Sequence, residues 1–261
     1  MQFGRYLANS ILVIALTVGA MGQQQGPSEA QWTTLDPPPG YQIGPVWLPT
    51  DGSVLALAAS PADCVQPPPG PYCYPTEVFR LIPDSAGSYT TGTWSHLISM
   101  PQGYGPVGFA SAVLADGRVI MEGGEENQTA QDWTTKEYLL DPTVPSWTPV
   151  APPLWLKIGD APGVVLNDGT FMLGSCCENT PPPELVATFN PSTFSLNYLA
   201  TSGKLDSNSE EGWTLLPYDP NNPQTSTFLT VDTNPPQGET PYEIYNSTTM
   251  QWTNGPIGFQ L

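Results

Sequence analysis

The sequence predicts an all-β fold, a β-propeller of about four four-stranded blades, and three observations predict it. One phrase returns four times along the 261 residues: an apolar strand, an Asp-led turn, a second apolar strand, a loop, a third strand with Glu or Tyr, and usually Trp in a fourth. Self-similarity at a period of roughly 50 residues is the mark of a repeat architecture, and a β-sandwich offers no reason for it. The composition agrees, because 32 Pro and 25 Gly punctuate short apolar runs while 39% hydrophobic residues suffice to fill a core, which a disordered chain lacks.

Residues 1–22 read as a signal peptide. Arg5 supplies the positive start, residues 11–18 (ILVIALTV) the apolar segment, and Ala20, Met21 and Gly22 the small-residue cleavage region before Gln23. An uncleaved segment would instead tether the domain outside the cytoplasm. After cleavage no transmembrane domain is expected, and the protein is expected to be secreted, periplasmic or on the cell surface. Residues 23–40 form a Pro-rich lead-in, and residues 41–261 the propeller domain.

Within that domain the expected blades span residues 41–98, 104–150, 158–200 and 207–254. The clearest copy is the second, ASAVLADGRVIMEGG over residues 110–124, then Glu137 and Tyr138, Asp141 and Pro142, and Trp147. In the first copy Asp51-Gly52 makes the turn, Glu77 and Phe79 lie in the third strand and Trp94 in the fourth. The third has Asp168-Gly169 and Asn190-Pro191, with Phe194 where Trp is expected. The fourth has a longer turn over residues 219–222, then Tyr242, Tyr245 and Trp252. Asp-Gly between apolar runs predicts a type I′ hairpin, since Gly and tolerably Asp accept positive φ. Continuous runs such as residues 112–114 suit strands covered on both faces, and the recurring Trp suits the wide gap far from the axis.

The phrase ADGRVI over residues 115–120, followed by Gly123-Gly124, Glu137-Tyr138, Asp141-Pro142 and Trp147, resembles a Kelch repeat, similar to those of the galactose-oxidase-like propeller domain. The resemblance covers most of residues 41–256. It implies a ring of six or seven blades, more than the four counted. Residues 255–259 (GPIGF) repeat residues 105–109 (GPVGF), so a further blade is expected to begin at 255–261 and the chain to be C-terminally incomplete; a closed four-bladed ring or an oligomer completing the circle are the alternatives. The resemblance also implies a copper site of two Tyr and two His, one Tyr cross-linked to Cys. The chain has one histidine, His96, so that site cannot be assembled from these residues.

Other chemistry is sparse. Nucleotide-binding loops and a Gly-x-Ser-x-Gly elbow are absent, and His96 reads as a surface or strand residue. Six Lys and Arg against 24 Asp and Glu give a formal net charge of −18, which disfavours nucleic acid and anionic lipid. Four cysteines fit an oxidising compartment. Cys64 and Cys73 flank one Pro-rich insertion and are expected to staple it, whereas Cys176 and Cys177 are adjacent and would close a strained ring; cross-pairing stays open. Asn127 and Asn246 head formal glycosylation sequons.

Ligand-binding candidates fall on the loops that leave second strands and enter first strands: Glu125, Glu126, Trp133, Asp160, Glu210 and Glu211, with Glu122 and Asp232 among the same loop acids. Hard oxygens converging there suit Ca²⁺, paired carboxylates suit glycosidic acid/base work, and Trp133 suits stacking on a sugar. The function expected is an exported recognition or scaffold module for a glycan or protein ligand, with no identifiable catalytic residue. The alternative is a carbohydrate-active enzyme, either a galactose-oxidase-like oxidoreductase with ligands in blades beyond residue 261 or a carboxylate-based hydrolase or lyase.

Overall fold

The computed structural model describes residues 33–59, 74–128, 130–154, 157–176, 186–205, 208–232 and 241–255. The expected signal peptide and its cleavage region, the insertion carrying Cys64 and Cys73, Cys177, and the expected start of a further blade beyond Gly255 lie outside the described residues. The chain divides into Met1–Thr34 and Leu35–Leu261, and every described strand belongs to the second unit. No helix among the described residues is long and apolar enough to cross a membrane.

The described residues are all-β. Strands β1 (Gln42–Trp47), β2 (Val54–Ala59), β3 (Pro75–Ile82) and β4 (Thr93–Ser99) form the first sheet in that order. β5 (Pro106–Val107) precedes the second sheet, which contains β6 (Ala110–Val113), β7 (Val119–Glu122), β10 (Glu137–Asp141) and β11 (Ser146–Pro149). Between β7 and β10 the chain adds β8 (Glu126–Asn127) and β9 (Ala130–Gln131), which join β5 in a small three-stranded sheet that the repeat pattern does not predict. The third sheet holds β12 (Gly163–Val165), β13 (Phe171–Gly174), β14 (Val186–Asn190) and β15 (Ser195–Leu199). The fourth holds β16 (Thr214–Leu215), β17 (Thr227–Val231), β18 (Tyr242–Asn246) and β19 (Gln251–Asn254). Each is an antiparallel meander.

Two local expectations are corrected. The Asp-Gly hairpins are not type I′, which needs positive φ at both central residues. Gly52, Gly117 and Gly169 have φ of 77°, 87° and 83°, but Asp51, Asp116 and Asp168 are not among the positive-φ residues. Leu114 N–H donates to Arg118 O and Gly117 N–H to Leu114 O, and the third sheet repeats both bonds between Leu166, Gly169 and Thr170. These are three-residue loops closed by a left-handed Gly. Each Asp folds back to accept from the N–H two residues on, in Ser53, Arg118 and Thr170, which is why Asp serves without positive φ. The second correction concerns Phe194. It sits in the turn before β15 with φ 57°, and Leu196, paired with Phe189, holds the place that Trp147 and Trp252 hold opposite Leu140 and Tyr245.

Consecutive sheets pack face to face. Trp47, Leu55, Leu57 and Val78 of the first meet Val119, Met121 and Leu140 of the second. Ile120 and Leu139 on the opposite face of the second meet Phe171, Leu173, Ala187 and Phe189 of the third. Val164, Met172 and Val186 then meet Trp213, Phe228, Tyr245 and Trp252, four rings whose neighbouring centroids lie 4.9–5.7 Å apart. Polar ties reinforce the apolar contacts. Arg80 donates to Pro142 O, Arg118 to Pro191 O at 2.6 Å, and Asn167 Nδ2 to Thr225 O at 2.8 Å, each from one sheet to a turn of the next. Among the described residues no core cluster joins the first sheet to the fourth, so a closed ring is not seen.

The crossover from the third sheet to the fourth is pinned by a buried ion network. Lys204 Nζ lies 2.8 Å from Glu211 Oε1, 2.5 Å from Asp232 Oδ1 and 2.8 Å from Glu243 Oε2, and all four side chains are 0% exposed. Glu211 accepts from Thr230 Oγ1, Glu243 accepts from Leu205 N, and the ammonium stands 5.4 Å from the Trp252 ring centroid. One cation among three carboxylates is short of positive charge. Burial pushes Glu243 up to about 7, with the neighbouring Asp232 adding to the rise and Lys204 opposing it.

Replacing Lys204→Met leaves three buried carboxylates without their cation and is expected to destabilise the fold by about 3–5 kcal/mol at pH 8. The loss is expected to shrink as the pH falls through about 7 toward 4.5, because Glu243 then takes up a proton; urea unfolding at pH 8 and pH 4.5 checks it. Gly163→Ala is expected to cost about 1–3 kcal/mol by overpacking. A Cβ there would lie 2.8 Å from Glu122 Oε1 and press into the Phe171 ring, and thermal unfolding of the variant reads the cost.

Candidate functional site

Three of the sequence candidates meet at one place. A carboxylate oxygen from each of Glu125, Asp160 and Glu210 lies within 4.8 Å of the other two, with Glu125 and Asp160 half-buried and Glu210 exposed. They come from the loop after β7, the segment entering β12 and the segment entering β16, so three successive sheets contribute one residue each.

The loop carrying Glu125 is built to hold its shape. Gly123 and Gly124, with φ of 70° and 132°, turn the chain where a Cβ on Gly124 would come within 2.8 Å of Pro106. Gly124 N–H donates to Gly159 O at 2.6 Å, which fastens this loop to the residue before Asp160. Glu125 N–H donates to Val107 O and Gly108 O, while Glu125 O accepts from Asp132 N and Trp133 N. The Glu125 side chain accepts from Gln131 Nε2 at 3.2 Å. Gly108, φ 59°, lets the β5 segment approach, since its Cβ position lies 3.4 Å from Glu125 Cβ and 3.8 Å from Asp160 Cβ. Asn127, the first sequon residue, uses its side chain here, accepting from Gly105 N and donating to Gly103 O and Asp132 Oδ2. Asn246, the second, caps the turn before β19 by accepting from Thr248 N and Thr249 N.

The electrostatics follow from crowding of like charge. Burial raises Asp160 above the ordinary carboxyl range, and Glu125 and Glu210 push in the same direction. Glu126 is raised by burial and then by Glu125 and Asp160. A groove of about 280 Å³ adjoins Asp160 and is lined also by Phe109, Ser111, Pro162 and Trp213.

The remaining candidates go elsewhere. Glu211 is sequestered with Lys204, and Asp232 with it. Trp133 lies with φ 37° under the Lys157 ammonium, 4.5 Å from the ring centroid, and packs against the core between the second and third sheets that holds Ile158 and Cys176. Glu122, counted among the loop acids, ends β7 and is wholly buried. Cys176 is buried and is not a free thiol, while its adjacent Cys177 and the Cys64 and Cys73 pair lie outside the described residues. His96 is 51% exposed on β4 and bonded to Glu77 at 2.7 Å. Sequence reasoning missed Lys204, although a single Lys amid the acids of residues 204–211 was a signal that a buried charge needed a partner.

No family model matches the chain, and no curated protein matches it in sequence. Among solved structures, a protein of unknown function from Dyadobacter fermentans is 12% identical with a TM-score of 0.50, covering 87% of this chain and 72% of its own. A fungal alcohol oxidase of the AA5 family, solved in complex with copper, is 14% identical with a TM-score of 0.44, covering 79% of this chain. The chain spans 49% of that oxidase's length. These likenesses concern the fold.

Proposed function

We propose that the chain is an arc of a Kelch-type propeller, exported from the cell, that acts as a recognition module, binding a glycan or protein ligand at the Glu125, Asp160 and Glu210 site. The observation that carries the reading is the convergence of three carboxylates from three sheets beside an open groove. Oxygens within 4.8 Å of one another match the span across a Ca²⁺ shell with bonds of about 2.3–2.6 Å. Hydroxyls of a sugar would complete that shell, and Phe109 and Trp213 in the groove would meet its apolar face. An all-oxygen donor set suits Ca²⁺ and does not suit copper, which favours imidazole or thiolate. His96, held by Glu77 on the fourth strand of its sheet, adds no imidazole to the trio. A second reading rests on Asp160, whose raised carboxyl beside two further carboxylates is the arrangement of a glycosidic acid/base pair.

Titration calorimetry with CaCl₂ at pH 7 is expected to give one site with a Kd on the order of 10⁻⁴–10⁻³ M. Asp160→Asn is expected to weaken it at least about tenfold, one ligand charge being lost. Affinity is expected to fall as the pH drops through the raised Asp160 carboxyl, because protons then compete with the cation. A glycan array with and without Ca²⁺ assigns the ligand. No calcium binding and no effect of Asp160→Asn on any ligand would discard the recognition reading, whereas sugar turnover lost in Asp160→Asn would favour the enzyme.

A further inference from the structure

Next to the loop that carries Glu125 lies a pair of carboxyls that the proposed binding site does not use. Glu122 and Glu137 are direct register partners on β7 and β10, so their side chains leave the same face of the second sheet, toward the third. Their exposures are 0% and 2%. None of their four oxygens accepts a hydrogen bond from any donor among the described residues, which leaves each carboxyl to the other. Among the described residues, the elements packed over them offer no cation. From the third sheet come Gly163, whose Cβ position is 2.8 Å from Glu122 Oε1, and the Phe171 ring beside it. Tyr104 stands near both acids but gives its O–H to Gly123 O at 3.0 Å. Lys136, next to Glu137, reaches Gly103 O, and Lys157 lies over Trp133. Asp160 faces Glu125 and Glu210.

Two ionised carboxylates cannot share a dry site without a counter-charge. We propose that Glu122 and Glu137 form a hydrogen-bonded pair of protonated carboxyls, a lock that keeps the face of the second sheet turned toward the third uncharged in acid and weakens the junction as a proton is lost. Glu122 ends β7 and leads straight into the Gly123-Gly124 loop, and Glu137 opens β10 beside Lys136, whose carbonyl accepts from Gly123 N, so the lock lies next to the bond from Gly124 to Gly159 that fastens the Glu125 loop to the segment carrying Asp160. Burial, reinforced by the neighbouring acid, holds Glu122 well above the usual carboxylate range, and burial lifts Glu137 to about 8.

Both carboxyls keep protons in the folded chain at pH values where the unfolded chain has lost them. Their contribution is therefore whole below about 4.5, the unfolded value, and is lost as pH rises through about 8. In urea titrations of the full chain, each pH unit between these limits is expected to lower the folded-to-unfolded ratio of the wild type by up to about tenfold per proton, relative to the Glu122→Gln, Glu137→Gln double variant. The Lys204 network is common to both chains and cancels. Equal pH slopes in the two chains would overturn the proposal. A second measurement needs no variant: unfolding the wild type by urea in weak buffer at pH 7.5 is expected to release more than about half a proton per chain, since the carboxyls bound in the native state ionise on exposure. Half a proton or less would overturn it as well.

Discussion

A four-stranded sheet that is apolar on both faces cannot be stable alone, and this constraint governs the molecule. The second sheet places Val119, Met121 and Leu140 on one face and Ile120 and Leu139 on the other, each fully or nearly fully buried. At about 25 cal/mol per Å² of apolar area, each uncovered face would forfeit several kcal/mol. Neighbours on both sides are thus a thermodynamic requirement, and the stacking of sheets in chain order satisfies it with short connections. The outer faces of the series are less covered, as Val46 at 57% and Val231 at 42% exposure illustrate.

The same stacking creates the polar problem that the buried acids answer in different ways. Residues alternate across a strand, so Glu137 points to the third sheet while Tyr138 points to the first, where it meets Trp147 edge-on. In the fourth sheet Glu243 holds the place of Tyr138, two residues before the partner of the fourth-strand Trp. An aromatic needs only packing there; a carboxylate needs Lys204. Where a cation reaches the gap, the acid is paired, and where none does, as at Glu122, the acid is left with another acid.

Much of this was legible in the chain because it is local. The three Asp-Gly loops, the Asp141, Asn190 and Asn246 turns and the fourth-strand Trp each declare themselves within a few residues. The type I′ assignment failed because it treated Asp as a carrier of positive φ, when its carboxylate works by accepting a backbone N–H. Phe194 misled because aromatic identity was weighed above register, and only the pairing of Leu196 with Phe189 fixes the position. Of the loop acids, Glu125, Asp160 and Glu210 converge while Glu122, Glu211 and Asp232 turn inward. Nothing in spacing alone separates these sets, because side-chain direction at a strand end depends on where the strand stops, and element ends are the least local feature of a fold.

The formal charge of −18 assumes that all 24 acids are ionised. Among the described residues five of them, Glu122, Glu137, Glu211, Asp232 and Glu243, have buried side chains, and burial pushes Glu122, Glu137 and Glu243 up. The folded chain near neutrality therefore carries less negative charge than its sequence suggests, and the charge it does carry is concentrated on loops and turns. Repulsion among those surface acids grows with pH, in the same direction as the cost of ionising the interior. Surface and core thus favour the same condition. A chain with these two features is most stable where its carboxyls begin to protonate, on the acid side of neutrality, and the cation affinity proposed for Glu125, Asp160 and Glu210 would run against that stability as the pH changes.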